Sequence, residues 1–146
     1  MPTSADNKAI IRRFYDEVWN LGHLDVALEV FSDDYVRHDL RPAAAQPGAA
    51  GQRKVAADFR AAFPDLTATV ELLIAEDDLV VARWTMAGTN TGAWGGVPPT
   101  GKPLRFSGVN IFRLQDGQVV EVWNHRDDLG VQQQLNAPVY AGASGQ

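Results

Sequence analysis

The groups best equipped for chemistry lie together in Trp123-Asn124-His125-Arg126-Asp127-Asp128. That stretch brings a carboxylate, an imidazole, an amide and a guanidinium close to one another, at the end of the apolar run Gln118 to Val122. A carboxylate held in a dry site has a raised pKa and can take a proton from carbon. An imidazole beside it can shuttle that proton or donate to a developing anion. On a strand, residues two apart share a face, so His125 and Asp127 point one way and Asn124 and Arg126 the other. The expectation is that His125 and Asp127 face a cavity as the catalytic pair. A bulge or the end of the strand would turn Asn124 and Arg126 inward instead. The competing reading is a charged strand end, with Asp127 paired to Arg126 or capping the turn at Gly130.

Other candidates are wall residues. Asn124 suits a carbonyl oxygen, and Arg126 suits a phenolate or carboxylate. Asn110 lies mid-strand with Phe106 and Phe112, where a buried amide needs a partner or a ligand. His38, beside Asp39, offers a ring donor, and Tyr15 and Tyr35 each a hydroxyl. Trp19 and Phe106 offer flat apolar surface for stacking. Trp94, in a Gly-rich loop, reads as a lid or an interface anchor. His38, His125 and Asp127 lack the close pairing of metal ligands, so no metal is expected. No Gly-rich phosphate cradle precedes a helix, and Ser107 has no nucleophile-elbow context, so no cofactor is expected.

These groups need a scaffold. A chain of 146 residues can bury a real core, and residues 1–146 read as a single domain with loose tails at 1–5 and 141–146. The net charge of -5, with scattered Lys and Arg, argues against a nucleic-acid partner. No run reaches membrane-spanning length, so no membrane partner is expected. The absence of cysteine suits a cytoplasmic protein.

Ile10, Ile11, Phe14, Val18 and Leu21 recur at helical spacing, with Tyr15 and Trp19 on the flank and Gly22 as a stop. Leu24, Ala27, Leu28 and Phe31 mark a second helix, broken by Ser32-Asp33-Asp34, before a short extended piece over 35–39. The Ala/Pro/Gly-rich stretch 42–51 reads as a mobile surface loop. Gln52 to Phe63 is a third amphipathic helix, ended by Pro64. The period then changes. Ala68, Val70, Leu72 and Ile74 alternate as a strand, followed by strands over 79–90, 104–114 and 118–126, with an Asp-Gly hairpin signal at 116–117. A last helical turn comes over 130–135.

Helices followed by hairpin-linked strands make an α+β domain, three N-terminal helices packed on a curved, mainly antiparallel sheet. Val109 and Ile111 on one side, and Phe106 and Phe112 on the other, are apolar enough to be buried on both faces. That predicts a homodimer across the back of the sheet.

Several stretches in register resemble the SnoaL-like polyketide cyclase family. They are Phe14 to Asn20, Asp33 to Asp39, Ala62 to Leu66, Gly96 to Lys102 and Phe112 to Gly117. The resemblance covers nearly the whole chain. It implies a cone-shaped α+β barrel, like that of nuclear transport factor and ketosteroid isomerase, usually dimeric. The His125-Arg126-Asp127 triplet is similar to the segment carrying the acid/base aspartate of anthracycline-forming cyclases, which assigns that role to Asp127. The implied reaction is aldol cyclisation of a polycyclic aromatic polyketide without a cofactor. The longer Asn124 to Asp128 run is also similar to the AclR-like hydroxylase branch, which would call for a partner reductase. A non-catalytic binding or dimerisation module on the same fold is the third reading.

Overall fold

The computed structural model describes residues 2–38, 48–94 and 98–135. The first helix, α1 (Ser4–Arg13), starts from a capping box. Thr3 Oγ1 accepts from the Asp6 N–H, and the Asp6 carboxylate accepts from the Thr3 N–H. Two otherwise unsatisfied donors are met reciprocally. Thr3 to Ala5 are therefore part of the helix start, a correction to the loose tail expected over residues 1–5.

The chain runs on without a break into a π-helix, Phe14–Asn20. A π turn holds about one residue more than an α turn and so rotates every later side chain about the helix axis. Ile11, Phe14 and Val18 stay inward, Tyr15 and Trp19 join them, and Leu21 swings out to 61 % exposure. A simple helical period would put Leu21 inside and the two large rings on the flank. Asn20 ties this end to the sheet, exchanging hydrogen bonds with the backbone of Ala68 at 2.9 and 2.6 Å.

Helix α2 (Val26–Val30) is shorter than expected. Phe31 already belongs to β1 (Phe31–His38), and Leu28 is exposed. β1 runs straight through Ser32-Asp33-Asp34 because it is an edge strand, where polar side chains can face water. Helix α3 (Gly48–Ala62) begins four residues earlier than the sequence pattern suggests, and the rest of the expected loop, 42–47, lies outside the described residues. Next come β2 (Thr67–Glu76), β3 (Leu79–Thr89), β4 (Pro103–Gln115) and β5 (Gln118–Arg126), closed by α4 (Asp128–Leu135). The β4–β5 turn has Asp116 and Gly117 at φ 51° and 82°, as a tight hairpin requires.

The sheet order is β1-β5-β4-β3-β2, with β1 parallel to β5 and the other pairs antiparallel. Two register shifts decide which side chains face the helices. On β2 the pairing passes from Val70↔Trp84 to Leu72↔Arg83, leaving Glu71 as the extra residue. Leu73 and Ala75 then pack on the core, while Leu72 and Ile74 turn to the outer face. This corrects the expected single stripe of Ala68, Val70, Leu72 and Ile74. On β5 the pairing passes from Leu114↔Val119 to Arg113↔Glu121, leaving Val120 extra. A bulge reverses the inward/outward alternation for everything beyond it.

The helices cover one face of the curved sheet. Phe14, Phe31 and Phe112 meet edge to face at centroid separations of 5.0, 6.2 and 6.3 Å. The outer face carries a row of paired positions running Ile74–Val81–Ile111–Trp123–His38 across all five strands.

Candidate functional site

Between the helices and the inner face of the sheet lies a narrow pocket, open to solvent on one side. The bulge at Val120 sets its polar wall. Beyond it Val122, Asn124 and Arg126 point inward, and Asn110 pairs directly with Asn124. Arg126 pairs with Gly108, which has no side chain to spare. A Cβ at Gly108 would stand 2.4 Å from Trp84 Cζ2 and 2.7 Å from the carbonyl oxygen of His125. The bare backbone lets the Trp84 indole lie across this position, where its Nε1–H donates to Asn110 Oδ1 at 2.8 Å.

Arg126 is the most unusual group in the cavity. Its side chain is 11 % exposed, and its Nε donates to Asp128. The guanidinium carbon lies 4.9 Å from the Phe59 ring centre and 5.5 Å from that of Trp94. Among the described residues its two terminal nitrogens have no hydrogen-bond partner. A guanidinium carries five N–H donors in a planar fork, so most of this fork is available to a ligand. A second guanidinium, Arg37, also lines the cavity, and its Nη1 donates to Gln52 Oε1 at 3.3 Å. The described lining is thus cationic in a protein of net charge -5.

The helix wall supplies Phe14, Tyr15, Trp19 and Phe59. Tyr15 is 1 % exposed, and its hydroxyl has no partner among the described residues. Burial pushes its phenol well above the usual tyrosine range.

Of the residues singled out by sequence, Trp19, Phe106, Asn110, Asn124 and Arg126 come together on the cavity. Tyr35 reaches it at one remove, through a long hydroxyl contact to Gln52 Oε1 at 3.5 Å. Trp94 packs on Phe59 and Phe63 at 5.2 and 6.1 Å and closes over Arg126.

Three expected placements are corrected. His125 is exposed on the outer face, opposite Val109, because the bulge reverses the alternation before it. Asp127 has left the strand. Its N–H still reaches Ser107 at 3.0 Å, but its carboxylate accepts from the Gly130 N–H at 2.9 Å and caps α4. His38 also faces outward, stacked on Trp123 at 5.1 Å and hydrogen-bonded to Glu121 at 2.8 Å. On β1, as on β5, the neighbouring residue takes the inner place, Arg37 rather than His38.

Sequence reasoning passed over Arg37 and Gln52, whereas Tyr15, read as a possible wall residue, does line the cavity. The closeness of Arg37 to Tyr35, two residues away and buried, was the available signal. Among the described residues no three His, Asp or Glu side chains group as metal ligands.

The profile of SnoaL-like polyketide cyclases matches residues 9–135. A search of curated proteins finds no match. Among solved structures, TsrD from Streptomyces laurentii is 26 % identical, with a TM-score of 0.83, over 92 % of this chain and 98 % of its own. AclR from Streptomyces galilaeus, named as a candidate hydroxylase, is 29 % identical, with a TM-score of 0.81 and the same two coverages. IdmH from Streptomyces antibioticus, named as a candidate polyketide cyclase, is 34 % identical, with a TM-score of 0.74, over 89 % of this chain and 98 % of its own.

Proposed function

This chain belongs to the SnoaL-like polyketide cyclase family, and we propose that it is an enzyme that binds a planar, oxygenated aromatic polyketide as its anion, in the cavity beneath β5. Arg126 carries this reading. It is an enclosed guanidinium between two ring faces, with its terminal donors unengaged among the described residues. An enolate or phenolate oxygen placed there would gain charge-assisted hydrogen bonds in a poorly solvated site. Donors fixed before the charge appears favour the step at which it appears. Trp19, Phe59 and Phe106 give the rings of such a substrate flat surfaces to stack on. Ring closure would follow when the enolate, its α-proton given up to solvent water, attacks a second carbonyl through carbon. The new alkoxide would take a proton back from solvent, with an Asn110 or Asn124 amide holding its oxygen.

Hydroxylation is the second reading, and Asn124 favours it. An amide cannot take the α-proton that enolisation of a ketone gives up, whereas a more acidic phenolic substrate loses its proton to solvent beside Arg126 without a side-chain base. The likeness to AclR points the same way. Dioxygen would then add to the electron-rich ring, and two electrons from a partner reductase with two protons would break the O–O bond, leaving one oxygen on the ring and releasing the other as water.

The test is incubation with anthrone and anthraquinone precursors, with product masses as the readout. Loss of water or isomerisation marks ring closure, and gain of one oxygen marks hydroxylation. Binding of the precursors with no turnover under either regime would leave only a binding module.

We also propose a homodimer across the outer face of the sheet. Leu72, Ile74 and Val36 are each more than half exposed there, beside the half-buried Val81, Ile111 and Trp123. Apolar rows of this length on a sheet face are characteristic of interfaces.

A further inference from the structure

The direction in which the Arg126 fork points needs a cause. Phe59 and Trp94 hold the guanidinium carbon at 4.9 and 5.5 Å from their ring centres. Ring contacts of this kind fix how near the cation lies, but they hardly select which N–H points where. An arginine side chain also has many rotamers, and this one lines a pocket open to solvent. One directional contact settles the matter: Nε–H donates to Asp128 Oδ1.

The form of that contact is informative. A carboxylate commonly takes a guanidinium through two parallel hydrogen bonds. Asp128 takes Nε alone, which leaves both terminal NH2 groups to the pocket. Asp128 itself stands behind Arg126, outside the pocket lining, as the first residue of α4. The backbone around it is tied on both sides. The Asp127 N–H donates to the Ser107 carbonyl at 3.0 Å, and the Asp127 carbonyl accepts from the Val131 N–H at 3.2 Å. The Asp127 carboxylate accepts from the Gly130 N–H at 2.9 Å. Glycine at 130 lets this turn close, since a Cβ there would stand 2.3 Å from Asp127 Oδ2.

Charge alone does not account for Asp128. A carboxylate near an anion site repels the anion. An acidic residue does favour a helix start, but that gain needs no contact with Arg126.

We infer that Asp128 is a positioning residue, whose single bond to Nε turns the Arg126 guanidinium so that its two terminal NH2 groups meet a bound anion side by side. Asp128 acts through Arg126 and not on the ligand. The inference rests on the reading of Arg126 as the anion-binding group.

Two probes and two variants test it. Anthraquinone-2-carboxylate carries the charge, and anthraquinone-2-carboxamide has nearly the same shape without it. The affinities of both are measured for the wild-type protein, Asp128→Ala and Asp128→Asn. The expected result is that Asp128→Ala lowers the acid-to-amide affinity ratio about 3- to 10-fold. Asp128→Asn should restore the ratio to the wild-type value or above, because its amide oxygen can accept from Nε and no longer repels the anion. A purely structural role at the helix start would weaken both probes alike and leave the ratio unchanged, which overturns the inference and leaves Arg126 as the anion site. A ratio that rises in Asp128→Ala overturns it too, since Asp128 would then act only through its charge. So does a ratio as low in Asp128→Asn as in Asp128→Ala, because the acceptor is kept. If the wild-type protein binds the acid no better than the amide, the reading of Arg126 fails and takes this inference with it.

Discussion

The two faces of β5 carry polar groups of opposite character. Inward, Asn124 and Arg126 stand among rings, and the arginine's terminal nitrogens have no hydrogen-bond partner among the described residues. Outward, Trp123 and His125 stand beside a network in which charges are matched. Arg113 reaches Asp78 at 2.8 Å and Glu121 at 3.1 Å, and Glu121 also meets His38. The inner guanidinium is 11 % exposed and the outer one 39 %. Exposed pairs are screened and worth little, whereas an enclosed cation with spare donors can give a ligand several kilocalories per mole. Density of charge in the sequence is therefore a poor guide to the site. What counts is which charges the fold encloses without satisfying.

The sharpest way to break this contrast is to exchange groups across the strand. Arg126→Gln removes the charge and should lower kcat/KM by roughly 100-fold or more, the usual effect of losing an anion-stabilising donor. His125→Ala and Asp127→Asn, on the other side, should stay within about twofold, as surface changes do. Steady-state kinetics on whichever precursor turns over would decide it. Loss of turnover in Asp127→Asn with Arg126→Gln fully active would invert the contrast.

Next in size is the outer face itself. Ile111→Asp places a charge in the middle of the apolar row and should halve the native mass measured by light scattering. The anthraquinone carboxylate should still bind, because Ile111 points away from the cavity. A variant that stays dimeric would leave the outer row without the role proposed for it.

The same contrast shows how far the sequence could be read. Element types and order were legible, because Ile11, Phe14 and Val18 keep helical spacing and β3 and β4 keep strand alternation. The presence of a site near the end of β5 was legible too, from the crowding of Asn124, His125, Arg126 and Asp127. Which two of the four face inward was not. The answer turns on one unpaired residue, Val120, and no local pattern in Gln118 to Val122 distinguishes a bulge from a regular strand. Arg37 takes the inner place expected for His38 because it stands two residues from the buried Tyr35 on the same strand face. Tyr15 was legible as a wall residue but its full burial was not, since a π turn leaves no mark in a sequence that suits an α-helix equally well.

Asp127 supplies a smaller effect. Its carboxylate caps α4 through the Gly130 N–H, so Asp127→Ala should cost about 1 kcal/mol of stability, typical of a lost N-cap. Asp127→Asn should recover most of it, because an amide oxygen can accept the same hydrogen bond. Urea denaturation of the three proteins would show the order. Equal stability of all three would mean that the cap carries no net energy.

The smallest expected effect lies in the outer network and concerns pH. The hydrogen bond from His38, and after it the Arg113 guanidinium, hold the Glu121 carboxyl below the usual glutamate value. A carboxyl whose pKa is depressed on folding adds stability that is fully present above its unfolded pKa, and that stability fades as pH falls through the folded one. His38→Ala removes the leading cause, so the Glu121 titration midpoint, followed by carbon-detected NMR, should move up. The shift should shrink in high salt, because the group is open to solvent in the single chain. If two copies close over this face, water and salt are excluded from the network. The salt dependence should then weaken as protein concentration is raised through the dimer threshold. A midpoint with the same salt dependence at every concentration would mean that this end of the outer face stays wet, and that any dimer is centred on the Ile74, Val81 and Ile111 part of the row, away from His38.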